Sequence, residues 1–125
     1  MTGMFNEIKA MMANEISGDD YDQQILFWAD AAVLDLTETA EIVIPGTVDM
    51  EWDETTGKVV DQSDVTDKMI IGAIAIYVSM NIGNPPNIDN LRRAYESLKG
   101  QMRLSSHYNR EQPEGGAEDE EAGQL

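Results

Sequence analysis

His107, in the stretch "LSSHYN" beside Ser105 and Ser106, pairs a possible base with possible nucleophiles. A working triad is assembled in space and also needs an acid that orients the imidazole. The spacing instead predicts a histidine in a helix's last turn, where it meets carbonyls that lack helical partners. It is the single histidine, and cysteine is absent, so imidazole- or thiolate-based metal sites are not expected. In "DMEWDETTG", Asp49, Glu51 and Asp53 alternate as acids do at the start of a calcium loop. The sixth position is Glu54 rather than glycine, and no glutamate closes the loop. Strand alternation accounts for these acids better, as the solvated face of a hairpin. The stretch "IGNPPN" follows a helical pattern and has no lysine, so it is not a phosphate-cradling loop. These residues predict a non-enzymatic protein without metal or cofactor.

A basic face is the more informative pattern. Arg92, Glu96, Lys99 and Arg103 recur at helical spacing, with Arg93 alongside and Arg110 beyond. Five of the chain's eight basic residues lie from Arg92 to Arg110. One reading is a solvated face with local pairs such as Arg92–Glu96, each worth about 0.2–0.5 kcal/mol. The other is a docking surface for acids on a neighbour. The face is too short and interrupted for direct DNA readout.

Four helices and one hairpin must carry these residues. Residues 4–15 form a short amphipathic helix with Met4, Ile8 and Met11 on one face and Phe5 and Met12 beside them. The stretch "SGDDYD" interrupts, with Ser17 and Asp20 spaced as a capping box. A second helix over 20–38 carries the stripe Ile25, Ala29, Ala32 and Leu36, widened by Trp28 and Val33. The period then changes. Val48, Met50 and Trp52 alternate with Asp49, Glu51 and Asp53, Gly57 sits in the loop, and "KVV" returns. The stretch "SDVTDK" opens a third helix, stopped by Gly83 and the prolines after it. The last helix spans 88–105, with Ile88, Leu91, Tyr95, Leu98 and Met102 at steps of three and four. Residues 111–125 are acidic and glycine-rich and predict a tail with no core of its own.

The fold class expected is mainly α: a small helical bundle over residues 1–110, with a β-hairpin inserted at about 42–62 and an extended acidic tail over 111–125. Its 125 residues suit one domain with a modest core, and 42% hydrophobic content excludes wholesale disorder. Acids outnumber bases 24 to 8, for a formal net charge of -16. Such a surface repels nucleic acid and anionic membrane. The first sixteen residues carry acids where a signal peptide would be basic and apolar, so a soluble protein in the cytoplasm of the producing cell is expected.

The third helix, "KMIIGAIAIYVSMNIG", is apolar on nearly every side. Ile71, Ala75, Val78 and Ile82 form one row, and Ile70, Ile74, Tyr77 and Met80 another. Gly72, Ala75, Ser79 and Gly83 form a row of small residues. Such a helix must be surrounded. Either the short first helix closes its third face, or a second copy of the protein covers what remains.

The order of these features resembles the head–tail connector (adaptor) proteins of long-tailed phages. "FNEIKAMMANEISGDDYDQQILFWADAA" is similar to their opening, "VTDKMIIGAIAIYVSMNIGN" to their second long helix, and "NLRRAYESLKGQMRLSSHY" to their last, with its closing tyrosine. The likeness covers residues 5–108; the hairpin is longer and more acidic than shorter versions of the variable insertion. The resemblance implies a structural virion protein of the phage neck, assembled in the host cytoplasm into a typically dodecameric ring beneath the portal protein. Such a ring extends the channel through which DNA passes without specific binding, and docks the next neck or tail protein. The expected basic interface residues are Arg92, Arg93, Lys99, Arg103 and Arg110, with Tyr108 at the helix end. Asp49, Glu51, Trp52 and Asp53 of the hairpin are the expected opposing set. The competing reading is a monomeric acidic regulator or DNA mimic that occupies a basic protein groove.

Overall fold

A computed structural model of the protein describes residues 3–12, 21–82, 87–105 and 108. The fold is mainly α: four helices with a two-stranded hairpin inserted between the second and third. The elements in chain order are α1 (Met4–Met11), α2 (Asp22–Leu34), β1 (Met50–Asp53), β2 (Lys58–Asp61), α3 (Lys68–Asn81) and α4 (Ile88–Leu104). The Ser17–Asp20 capping box, the Gly83 stop, Ser106, His107, Arg110 and the acidic tail lie outside the described residues.

α3 is the axis of the bundle. Ile70, Ile71, Ala73, Ile74, Ala75, Val78 and Ser79 are buried along it. α1, α2 and α4 all pack against it, so three elements of the same chain surround the apolar helix. The Ser79 hydroxyl donates to the Ala75 carbonyl at 2.8 Å, which satisfies a polar side chain buried in the core. Asp67 caps the helix, its Oδ1 accepting from the backbone N–H of Met69 and Ile70 at 2.9 and 3.1 Å.

α1 buries Met4, Phe5 and Ile8 and ends at Met11, which is largely exposed, short of the expected 4–15 span. Its first turn has no side-chain cap of its own. Asp61 of β2 does that work from across the molecule: the Phe5 N–H donates to its Oδ2 at 2.7 Å. Gly3 permits this approach, since a Cβ there would lie 2.6 Å from the same oxygen. Ion pairs hold the helix on both flanks, Lys9 with Asp22 of α2 at 2.7 Å and Lys68 of α3 with Glu7.

α2 buries Ile25, Leu26, Ala29 and Ala32, then widens into one π-helical turn, Asp35–Thr39, that buries Leu36. The chain leaves through Glu41 at φ +57°. There Ile42 N–H reaches back to the Leu36 carbonyl at 2.8 Å, a Schellman-like closure widened by the π-turn.

β1 and β2 are antiparallel, with Met50 opposite Asp61, Glu51 opposite Val60, Trp52 opposite Val59 and Asp53 opposite Lys58. Directly opposed residues share a face. Met50 is buried, and Val48, Trp52 and Val59 pack against the core, so the inner face lies on α2 and α1. Glu51 and Val60 point outward and are exposed. Gly57 takes φ +68° in the loop, the left-handed conformation its sequence position predicts.

Candidate functional site

The sequence-predicted basic face on α4 divides in two. Arg92, Arg93 and Arg103 are exposed. Arg92 reaches back to Asp89 at 3.0 Å, and Arg93 to the Asn90 amide oxygen at 3.2 Å. The expected Arg92–Glu96 pair is replaced by Arg92–Asp89 and by Lys99–Glu96 at 3.4 Å. Long helical side chains lean toward the N-terminus, which favours these backward i−3 partners.

Lys99 belongs to the fold instead. Its Nζ lies 3.0 Å from Asp35 Oδ2 and 4.9 Å from the centroid of the Tyr95 ring. The Tyr95 hydroxyl donates to the same carboxylate oxygen at 2.5 Å. Partial burial raises the Asp35 carboxyl, but the hydrogen bonds from Tyr95 and Lys99 outweigh it and hold the pKa below the ordinary carboxylate value. Lys99 is raised: burial lowers it, and Asp35 and Glu96 more than compensate. Burial first, then the Asp35 hydrogen bond, pushes Tyr95 far above the usual phenol range. This cluster ties the end of α2 to the middle of α4. Nothing in the α2 pattern marks Asp35 for that role, because its partners are about sixty residues away.

Tyr108 is likewise internal. Its hydroxyl donates to Asp67 Oδ2 at 2.7 Å, and its carbonyl accepts from the Val43 N–H at 2.8 Å. Burial, then Asp67, pushes its phenol up to about 12. The capping residue of α3 thus also holds Tyr108 in place.

The hairpin candidates divide in the same way. Glu51 is exposed. Asp53 is a turn builder, its Oδ1 accepting from the Thr55 N–H at 2.9 Å. Asp49 is half-buried, its backbone N–H donating to the Ser63 hydroxyl at 2.8 Å, and Trp52 packs against the core. Among the described residues, no group of three or more His, Cys, Asp or Glu side chains is placed to hold a metal. Nor is any described helix long and apolar enough to cross a membrane. A recess between α1 and β2, lined by Gly3, Phe5, Asn6, Val59, Asp61 and Ser63, contains one carboxylate, already engaged by the Phe5 and Ser63 amides.

The feature that the sequence reading missed is on α2. Phe27 and Leu34 are 64% and 60% exposed, with half-buried Ala31 between them on the same face. Phe27 meets Trp28 edge-on at 5.0 Å, Trp28 lies 6.4 Å from Tyr77 of α3, and Tyr77 lies 5.1 Å from Tyr95 of α4. A row of rings thus runs from the outer face of α2, across α3, to the Asp35–Lys99 cluster. The spacing from Phe27 to Ala31 to Leu34 could have signalled a second apolar stripe beside the core stripe.

The described surface therefore offers apolar and charged contact areas. Comparison with known families agrees with that character: a family model described as "Phage connector protein" matches residues 4–109. The chain belongs to this family of structural phage proteins. No curated protein and no solved structure matched.

Proposed function

We propose that the protein is a head–tail connector subunit that assembles as a closed ring under the portal of a filled head. There it extends the DNA channel and offers a platform to the next neck or tail protein. The observation that carries this reading is the family match, which spans every helix of the fold and the hairpin. A ring needs heterologous contacts, in which one patch meets a different patch on the next copy. Arg92, Arg93 and Arg103 on α4 supply one sign; Glu51 of the hairpin and Asp30 of α2 supply the other. The net charge of -16 suits a channel wall that DNA passes without adhering.

The test is to mix the purified protein with portal-bearing, DNA-filled heads and image the portal vertex. A ring of added density is expected. A protein that ignores the portal and competes with DNA for a basic partner would instead establish the monomeric DNA-mimic reading.

A further inference from the structure

The outer face of α2 is anomalous for a solvated helix. Phe27, Ala31 and Leu34 form a ridge on it, and the two large side chains are mostly exposed to water. The charge around the ridge has one sign. From Asp22 through Thr39 there is no lysine, arginine or histidine, whereas Asp30 and Glu38 lie on the same outward side. The other two acids of this segment, Asp22 and Asp35, are already bound to Lys9 and Lys99.

α4 presents the complement. Its outward residues include Arg92, Arg93 and Arg103, and Leu104 is 90% exposed at its end. Arg93, Ser97, Gly100 and Leu104 follow one another at steps of four, three and four, so they share a face. Gly100 has no internal reason to be glycine: a Cβ there would meet nothing within 4 Å. A helix-interior glycine costs about 1 kcal/mol relative to alanine. The face is therefore low in its middle, apolar at its Leu104 end and basic at its Arg93 end, with Arg92 and Arg103 along one edge beside the acids Asp89 and Glu96, three exposed cations to two acids; the α2 ridge is raised, apolar and flanked by acids alone.

The geometry points to a specific contact: the α2 ridge of one copy, Phe27, Ala31 and Leu34, seats on the outward face of α4 of a second copy. Asp30 and Glu38 then face the neighbour's arginines. The two patches lie on different helices, so the contact is head-to-tail and continues from copy to copy. This inference rests on the ring reading and names the surface through which the ring would close.

Two measurements test it on the full-length chain with portal-bearing, DNA-filled heads. Phe27→Asp with Leu34→Asp is expected to reduce ring occupancy at the portal about tenfold or more. Both side chains are largely exposed, so the helical circular dichroism should remain that of the wild type. Because the chain has no cysteine, Leu34→Cys with Leu104→Cys places the only two thiols in it. Mild oxidation of rings of this variant is expected to give a ladder of covalent multimers, whereas each single variant stays monomeric. Wild-type rings with an unimpaired Asp variant and no ladder would overturn the α2–α4 contact and leave the ring reading intact. Cross-linking of position 34 to the portal would overturn it in favour of a portal contact. Absence of a wild-type ring would overturn both readings.

Discussion

α3 and the outer face of α2 invert what their compositions suggest. α3 is apolar on nearly every side and looks like the element most in need of a partner, yet α1, α2 and α4 of its own chain enclose it. α2 has an ordinary core stripe, yet it leaves Phe27 and Leu34 in water. Total hydrophobicity therefore does not identify an incomplete surface. What identifies it is apolar area left over after every helix of the chain has taken its place.

The sharpest way to break this comparison is to truncate one residue from each region. Ile74, fully buried in α3, should cost about 2–5 kcal/mol as Ile74→Ala. Leu34→Ala should stay within about 0.5 kcal/mol of wild type, as exposed substitutions usually do. Urea unfolding of the two variants measures the difference. Similar losses would show that the α2 ridge is already part of the core.

A smaller effect is expected where α2 does meet α4. Asp35→Ala leaves the partly buried Lys99 ammonium and Tyr95 hydroxyl without their shared acceptor, at a cost of about 2 kcal/mol. The pH dependence has a defined sign. The Asp35 pKa is lowered in the folded state, so its stabilisation is present above the ordinary carboxylate pKa and is lost as pH falls through the folded value. The variant's acid-unfolding curve should be correspondingly flatter than that of the wild type.

The smallest loss from an internal contact should come at the N-terminal end of α3. Tyr108→Phe removes a hydroxyl donor to Asp67, worth about 1 kcal/mol. The folded phenol is raised to about 12 from an ordinary value of 10.0. Its stabilisation is full below the ordinary value and declines as pH rises from there through the folded one. Stability of the wild type, but less so of Tyr108→Phe, should fall across that window when followed by circular dichroism.

Much of this architecture is legible from local pattern. The stripe Ile25, Ala29, Ala32 and Leu36 is buried as its spacing predicts, Gly57 takes the positive φ its loop requires, and Asp67 caps α3. The candidate interface was less legible. Lys99, Tyr108 and Trp52 have the residue types of a contact surface, but their partners Asp35, Asp67 and the core come from distant parts of the chain. Periodicity places such side chains on a face; it does not say whether another segment of the same chain already covers that face.

The sequence by itself determined the order of helices and hairpin, the core stripes of α2 and α3, the acidic character and the family resemblance. Those properties depend on neighbours within a few residues, where hydrogen bonding and side-chain period operate. The tertiary structure alone decided which charges are spent inside the fold and which apolar residues remain outside it. Asp61 capping α1, Asp35 gathering Tyr95 and Lys99, and Phe27 left in water all follow from how distant segments pack. Burial is a property of that packing, and no local pattern contains it.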